Sequence, residues 1–316
     1  MSLHNNTSLA TETEKAPSFS ASVLSYLRIS KLGIWLFILP GAALYSIFFV
    51  FPTIAALFLS TTDWNGLSTS FSFIGIDHFI ELFSRDAIFK QSISTNLKFT
   101  LTVLIFQTAL SLCLALLLYK KSRLNTFYRA LFFVPTIISS VSIAFTWNFM
   151  YDPNIGGLNL FLTKIGLANL TQSWLGNGKI AIFSLAFVQF WAHTGQMLII
   201  FVAGIQAIPK ELFEAASIDG ASKWQVFKRI TWPLLAPATI MVVAYTTIQS
   251  FKAFDLILAM TNGGPSNATE ILSTFLYHEA FINFRFGYAS AVSVIFMLII
   301  GLLTFLQFKI LKLTKI

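Results

Sequence analysis

Six long apolar runs separated by polar segments organise the chain: Leu32 to Ser60, Phe99 to Leu118, Ala130 to Met150, Ile180 to Ile205, Leu234 to Met260 and Tyr288 to Phe308. About 20 apolar residues, rising ~1.5 Å each, cross the hydrocarbon core of a bilayer. The pattern predicts an all-α integral membrane protein with six transmembrane helices, spanning 32–60, 99–118, 130–150, 180–205, 234–260 and 288–308. Pro40 and Pro52 lie inside the first span, and Lys252 and Asp255 fall near the end of the fifth. Residues 1–31 are rich in Ser, Thr and Asn and lack an apolar run, which predicts a retained, disordered cytoplasmic tail.

The longest polar interruption of the second half is Glu211 to Pro237, reading ELFEAASIDGASKWQVFKRITWPLLAP. It predicts two short helices hinged at Gly220. Pro209 opens the first, with Glu211 early, where a negative charge suits the helix dipole. Gly220 can take the left-handed angles that end a helix, and Ser222 with Gln225 forms a capping-box start for the second. Helices this short need a surface to lean on. A bilayer surface, anchored by Trp224 and Trp232, is one candidate, but the acids Glu211, Glu214 and Asp219 suit an anionic membrane poorly and favour a protein groove.

Composition agrees with a lipid environment: 56% of residues are hydrophobic, and 11% are charged against about 25% in soluble domains. The basic residues set the orientation. Lys15, Arg28 and Lys31, then Lys120, Lys121, Arg123 and Arg129, then Lys210, Lys223, Lys228 and Arg229, then Lys309, Lys312 and Lys315 all fall on one side. The other side holds only Arg85, Lys90, Lys98, Lys164, Lys179 and Arg285. The positive-inside rule puts both termini and the Glu211–Pro237 loop in the cytoplasm. It also accounts for the net charge of +8 without nucleic acid as a partner.

Several chemistries are absent from the pattern. The only Gly-Lys pair, Gly178-Lys179, is followed by Ile180 and lacks the upstream glycine of a phosphate-binding loop, where Ser173 stands. The histidines at 4, 78, 193 and 278 are scattered, and Cys113 is the sole cysteine, so neither a metal site nor a disulfide is expected. No catalytic residue is expected. Polar side chains within the spans carry more information. Gln189, His193 and Gln196 share one face of the fourth; Ser139, Ser142 and Thr146 share one of the third, with Asn148 close by; Gln107 and Ser111 align in the second; Tyr245, Gln249 and Lys252 align in the fifth. Such stripes turn away from lipid, either to bond other helices or to line a solute path. Lys252 and Asp255 have a further alternative, snorkelling to the outer interface as a local ion pair.

Glu214-Ala215-Ala216, Asp219-Gly220-Ala221, Phe227, Ile230, Pro233 and Pro237 resemble the EAA loop of permease subunits in bacterial binding-protein-dependent ABC importers. Phe254-Asp255, Thr261-Asn262-Gly263-Gly264-Pro265, Thr269, Tyr277, Ala280-Phe281, Gly287-Tyr288 and Ala291 are similar to the sugar-importer branch of maltose, lactose and glycerol-phosphate type. The resemblance implies an importer transmembrane domain over 95–308, an extra first helix at 32–60 and a coupling loop at 206–233. It further implies a second permease, two ATPase subunits that hold ATP and magnesium, and an extracytoplasmic solute-binding protein. Glu214, Ala215, Ala216, Asp219 and Gly220 would meet the ATPase, and Asp255, Gly263, Gly264 and Pro265 form the outer motif. Gln189, His193, Gln196, Tyr245, Gln249 and Asn148 are the solute-path candidates. Two other readings stand beside it: a self-contained ion-coupled carrier using Lys252 and Asp255 as a charge relay, and a membrane scaffold, which would not need the polar stripes.

Overall fold

The structure, a computed structural model, describes residues 31–313; the predicted tail lies outside the described residues except for Lys31. The described part is mostly helical and contains no β-strand beyond an isolated bridge between Thr62 and Phe73. Four helices are each long and apolar enough to cross a membrane, and two bent pairs bring the number to six if each pair is one span.

The chain divides into two compact units, residues 1–55 and 56–316. The first unit holds most of helix α1, which runs Lys31–Tyr45, passes through a π-turn at Ser46–Val50 and continues as Phe51–Leu59. The widened turn sits just ahead of Pro52, whose ring would clash with a carbonyl in a regular turn, and the Phe51 N–H bonds the Ser46 carbonyl instead. No residue of its membrane-length stretch is buried, and Phe37 and Phe48 are among the most exposed side chains of the chain. Such a surface is suited to lipid or to another subunit.

The second unit begins with a turn-rich segment and α2 (Asp77–Ser84), followed by α3 (Ala87–Leu118). Asp86 caps α3, its Oδ1 accepting from the Phe89 N–H at 2.8 Å. The expected span at 99–118 is therefore only part of a 32-residue helix whose polar first turns extend beyond the apolar run.

Two expectations are corrected. The third run is not one helix: α4 (Arg123–Ile137) and α5 (Ser140–Met150) meet at 96°. Pro135, in the last turn of α4, has no N–H to continue the ladder, and Ile138 and Ser139 are extended, with ψ of 139° and 136°. The fifth run is broken as well. After α6 (Gly157–Lys164), α7 (Ala181–Gln206) and α8 (Lys210–Ile218), the helix α9 (Lys223–Leu234) bends by 65° into α10 (Ala236–Phe251). α10 then stops at Lys252 and Ala253, and α11 (Phe254–Thr261) starts anew. The two charged side chains at the break, Lys252 and Asp255, are exposed. The short α12 (Leu272–Tyr277), a π-turn at His278–Ile282 and α13 (Phe286–Leu313) complete the unit.

α7 is the centre of the bundle, packed on α3, α4 and α10. Its N-terminal half joins a cluster with Phe99, Val103, Ile143 and Ile257, and its C-terminal half one with Ala115, Leu235 and Val242. A third cluster, built on Phe89, Phe251, Phe275 and Tyr288, holds the start of α3, the end of α10, α12 and the start of α13 together.

A charged clasp reinforces that junction. Arg285 donates to Glu81 at 2.6 Å and to Glu279 at 3.3 Å, and its guanidinium lies 3.9 Å over the Tyr288 ring. The Tyr288 hydroxyl donates to the capping residue Asp86 at 2.5 Å. Arg285→Leu is expected to cost roughly 1.5–3 kcal/mol, the range for hydrogen bonds to charged groups, since Glu279 is buried and loses its counter-ion. A lower midpoint in a thermal scan of the detergent-solubilised protein checks this, and Arg285→Lys, which cannot fork between two carboxylates, should recover only part of the loss.

Candidate translocation site and coupling loop

The two helix interruptions meet at one cavity. A space of about 460 Å³ is lined by Ser140 at the start of α5, Gln189 and His193 of α7, Tyr245 and Gln249 of α10, Lys252 and Ala253 at the break, and Asp255 and Leu256 of α11. α5 and α11 both begin here, so the cavity is lined by residues of two helix starts. In a bilayer such irregular backbone is tolerated where it lines a polar space. Polar atoms are in excess of partners: His193 Nδ1 and Gln249 Oε1 are buried without a hydrogen bond. Neither Lys252 nor Asp255 makes an ion pair among the described residues, so the local pair anticipated as one reading does not form. The wall offers amides, an imidazole, a phenol, one free cation and one free anion, a set suited to hydrogen-bonding a hydroxyl-rich solute. Tyr245, Lys252 and Asp255 are exposed at its open side.

The other solute-path candidates are placed differently. Gln196 stands behind the cavity and donates to the Tyr245 hydroxyl at 3.0 Å, so it positions that ring. Asn148 is turned to α11, its Nδ2 reaching the Ala259 carbonyl at 3.4 Å, which is a helix-to-helix contact. Thr146 bonds its own helix at the Ser142 carbonyl, 2.9 Å away. Ser140 is a lining residue that the spacing of polar positions did not single out, because the break at Ile138 and Ser139 re-aims the helix.

Of the outer motif, only Asp255 lines the cavity. Gly263, Gly264 and Pro265 form the turn that ends α11. Asn262 takes left-handed angles, Gly263 has φ of +83°, and the Thr269 hydroxyl donates to the Gly264 carbonyl at 2.6 Å while also bonding Thr261 at 2.8 Å. A side chain at Gly263 would collide with the carboxylate of Glu270, which is buried and 3.2 Å from His278. Burial pushes the Glu270 carboxyl above the usual carboxylate range, against the pull of Thr274 and His278. The turn fixes where α11 ends.

At the opposite end, the loop between α7 and α10 adopts the hinged pair. α8 ends in a Schellman arrangement: Gly220 has φ of +69°, and the Ala221 N–H returns to the Ala216 carbonyl at 2.9 Å. Ser222 and Gln225 form the capping box, the Ser222 N–H bonding Gln225 Oε1 at 2.7 Å. The second helix is longer than expected, because a π-turn at Phe227–Thr231 carries it on to Leu234. Ala216 is buried, whereas Glu214, Ala215, Asp219 and Gly220 are exposed. Ile218 at 87% and Trp224 at 69% exposure add an uncovered apolar surface beside them.

Residues 107–313 match the family described as "Binding-protein-dependent transport system inner membrane component". The chain belongs to that family. It is 36% identical over 288 residues to a probable ABC transporter permease, YurN of Bacillus subtilis, covering 90% of this chain and 98% of that one. The permease is 35% identical over 284 residues to the multiple sugar-binding transport system permease MsmF of Streptococcus mutans, covering 90% and 97%. Its fold matches that of a bacterial alginate ABC transporter solved in complex with an alginate pentasaccharide-bound periplasmic protein, with a TM-score of 0.76 at 22% identity, over 87% of this chain and 92% of that one.

Proposed function

We propose that the permease is the translocating subunit of an ATP-driven importer for a sugar or sugar-like solute, delivered by an extracytoplasmic binding protein. A second permease completes the pathway, and two ATPase subunits, which hold ATP and magnesium, drive it; hydrolysis is not this chain's task. The protein is a multi-pass component of the bacterial cell membrane with both termini cytoplasmic, following the distribution of its basic residues. The cavity at the two helix breaks carries this reading. Its wall holds two polar atoms, His193 Nδ1 and Gln249 Oε1, without partners among the described residues, and its open side leaves room for the other permease. Glu214, Ala215, Ala216, Asp219 and Gly220 form the ATPase contact.

The test is reconstitution of the permease with its partner permease, ATPase and binding protein in vesicles, using a panel of radiolabelled saccharides. ATP-dependent accumulation that needs all four components supports the proposal. Accumulation by this chain alone, driven by an ion gradient, favours the self-contained carrier. Within the working complex, Gln249→Leu should slow uptake by about tenfold, since an amide that bonds the solute gives roughly 1–2 kcal/mol. Uptake by Gln249→Leu at the wild-type rate would remove that residue from the path.

A further inference from the structure

Midway along α3 the bundle carries a buried polar group that the cavity does not use. Gln107 is 0% exposed, and neither its Nε2 nor its Oε1 has a hydrogen-bond partner among the described residues. On α10, which packs against α3, Thr246 is also fully buried with a free Oγ1. That is unusual for a helical threonine. Its neighbours behave otherwise: Thr247 bonds the Val243 carbonyl at 2.9 Å and Ser250 the Thr246 carbonyl at 2.7 Å. Along α3, Gln107 falls between the cluster that ends at Val103 and the one that takes in Leu112 and Ala115; along α10, Thr246 falls between Val242 of that second cluster and Phe251 of the third.

An unpaired amide inside a membrane bundle is costly, and a methionine of similar volume would fill the same space without that cost. A closed hydrophobic core has no use for Gln107, but a bundle that must adopt two packings has one. We propose that Gln107 is a positioning residue of the transport cycle: its amide is unsatisfied in the packing described here and gains hydrogen bonds, with Thr246 among the partners, in the alternate packing. The two apolar clusters on either side of Gln107 along α3 then shift against each other, and Gln107 biases the equilibrium toward the other state. Interhelical bonds in membranes contribute enough to move such an equilibrium by about threefold to tenfold.

This inference rests on the importer reading, and the test separates the two. In a Cys113→Ser background, a Ser140→Cys reporter in the cavity is labelled with a maleimide in the assembled complex, without nucleotide and after vanadate trapping. Wild-type Gln107 should show a trapping-dependent change in labelling rate. Gln107→Met should shrink that change by about threefold or more without lowering the thermal midpoint, and Gln107→Asn, which keeps an amide, should restore at least part of it. A Gln107→Met complex that responds as the parent does, or one that loses the response together with its thermal stability, overturns the proposal, as does an Asn variant no better than Met. If the parent complex itself shows no response to trapping, the importer reading fails and this inference falls with it.

Discussion

Glu214→Lys is expected to abolish ATP-driven uptake while leaving the amount of permease in the membrane and its thermal midpoint unchanged. Glu214 is exposed on α8, and among the described residues no hydrogen bond or ion pair holds it, so nothing inside the chain depends on its charge. Its surroundings suit the proposed ATPase contact: Ile218 and Trp224 are exposed beside it, and the hinge at Gly220 sets the angle between the helices that carry them. Reversing a charge at a contact site costs on the order of 2–5 kcal/mol, a weakening of about thirtyfold or more. Co-purification of the ATPase with a tagged permease, alongside uptake, reads this directly. The hinge should respond in a graded way. A side chain at Gly220 would meet no atom within 4 Å, so Gly220→Ala is opposed only by the left-handed backbone, at about 1 kcal/mol, and Gly220→Asn by less. Full retention of the ATPase by Glu214→Lys would mean that α8 docks elsewhere or not at all.

The features that sequence made legible are those whose causes are local. Pro209, Gly220 and the Ser222–Gln225 box each act within one turn, and the structure has the helix start, hinge and cap at those residues. Side-chain periodicity likewise brought Gln189 and His193 to one face of α7, with Tyr245 and Gln249 across from them on α10. The breaks were less visible. Only two small serines, Ser139 and Ser140, interrupt the apolar run between Ile138 and Val141, too little to lower its hydropathy, so hydropathy counts one span where the backbone makes two helices. The early start of α3 is hidden for the opposite reason: Ala87 to Lys98 is too polar to register as a span, although its helix is continuous with the membrane part. Nor does spacing say what a turn supports. Asn262 to Pro265 reads as a loop in any sequence, but its tie to Glu270 and His278 arises only when the chain folds back.

Gly195→Leu is expected to have the largest effect on the bundle itself. α4 crosses α7 so closely at Gly195 that a Cβ there would overlap the carbonyl of Phe132 and the Cα of Phe133, which are backbone atoms and cannot rotate aside. One turn away the Thr136 hydroxyl donates to the Ala192 carbonyl at 2.8 Å, so the crossing is bonded as well as packed. Even Gly195→Ala must push the helices apart, at about 1–3 kcal/mol, and a leucine adds more. The consequence reaches the site, because α4 leads directly into the break at Ile138 and Ser139 that places Ser140 at the cavity. Gly301 of α13 supplies the control. A Cβ there meets nothing within 4 Å, so Gly301→Ala should be neutral or, from helix propensity alone, stabilising by up to about 1 kcal/mol. Thermal midpoints of the two alanine variants should move in opposite directions or differ clearly. If Gly195→Ala were as stable as Gly301→Ala, the α4–α7 crossing could not be the contact that fixes the broken span.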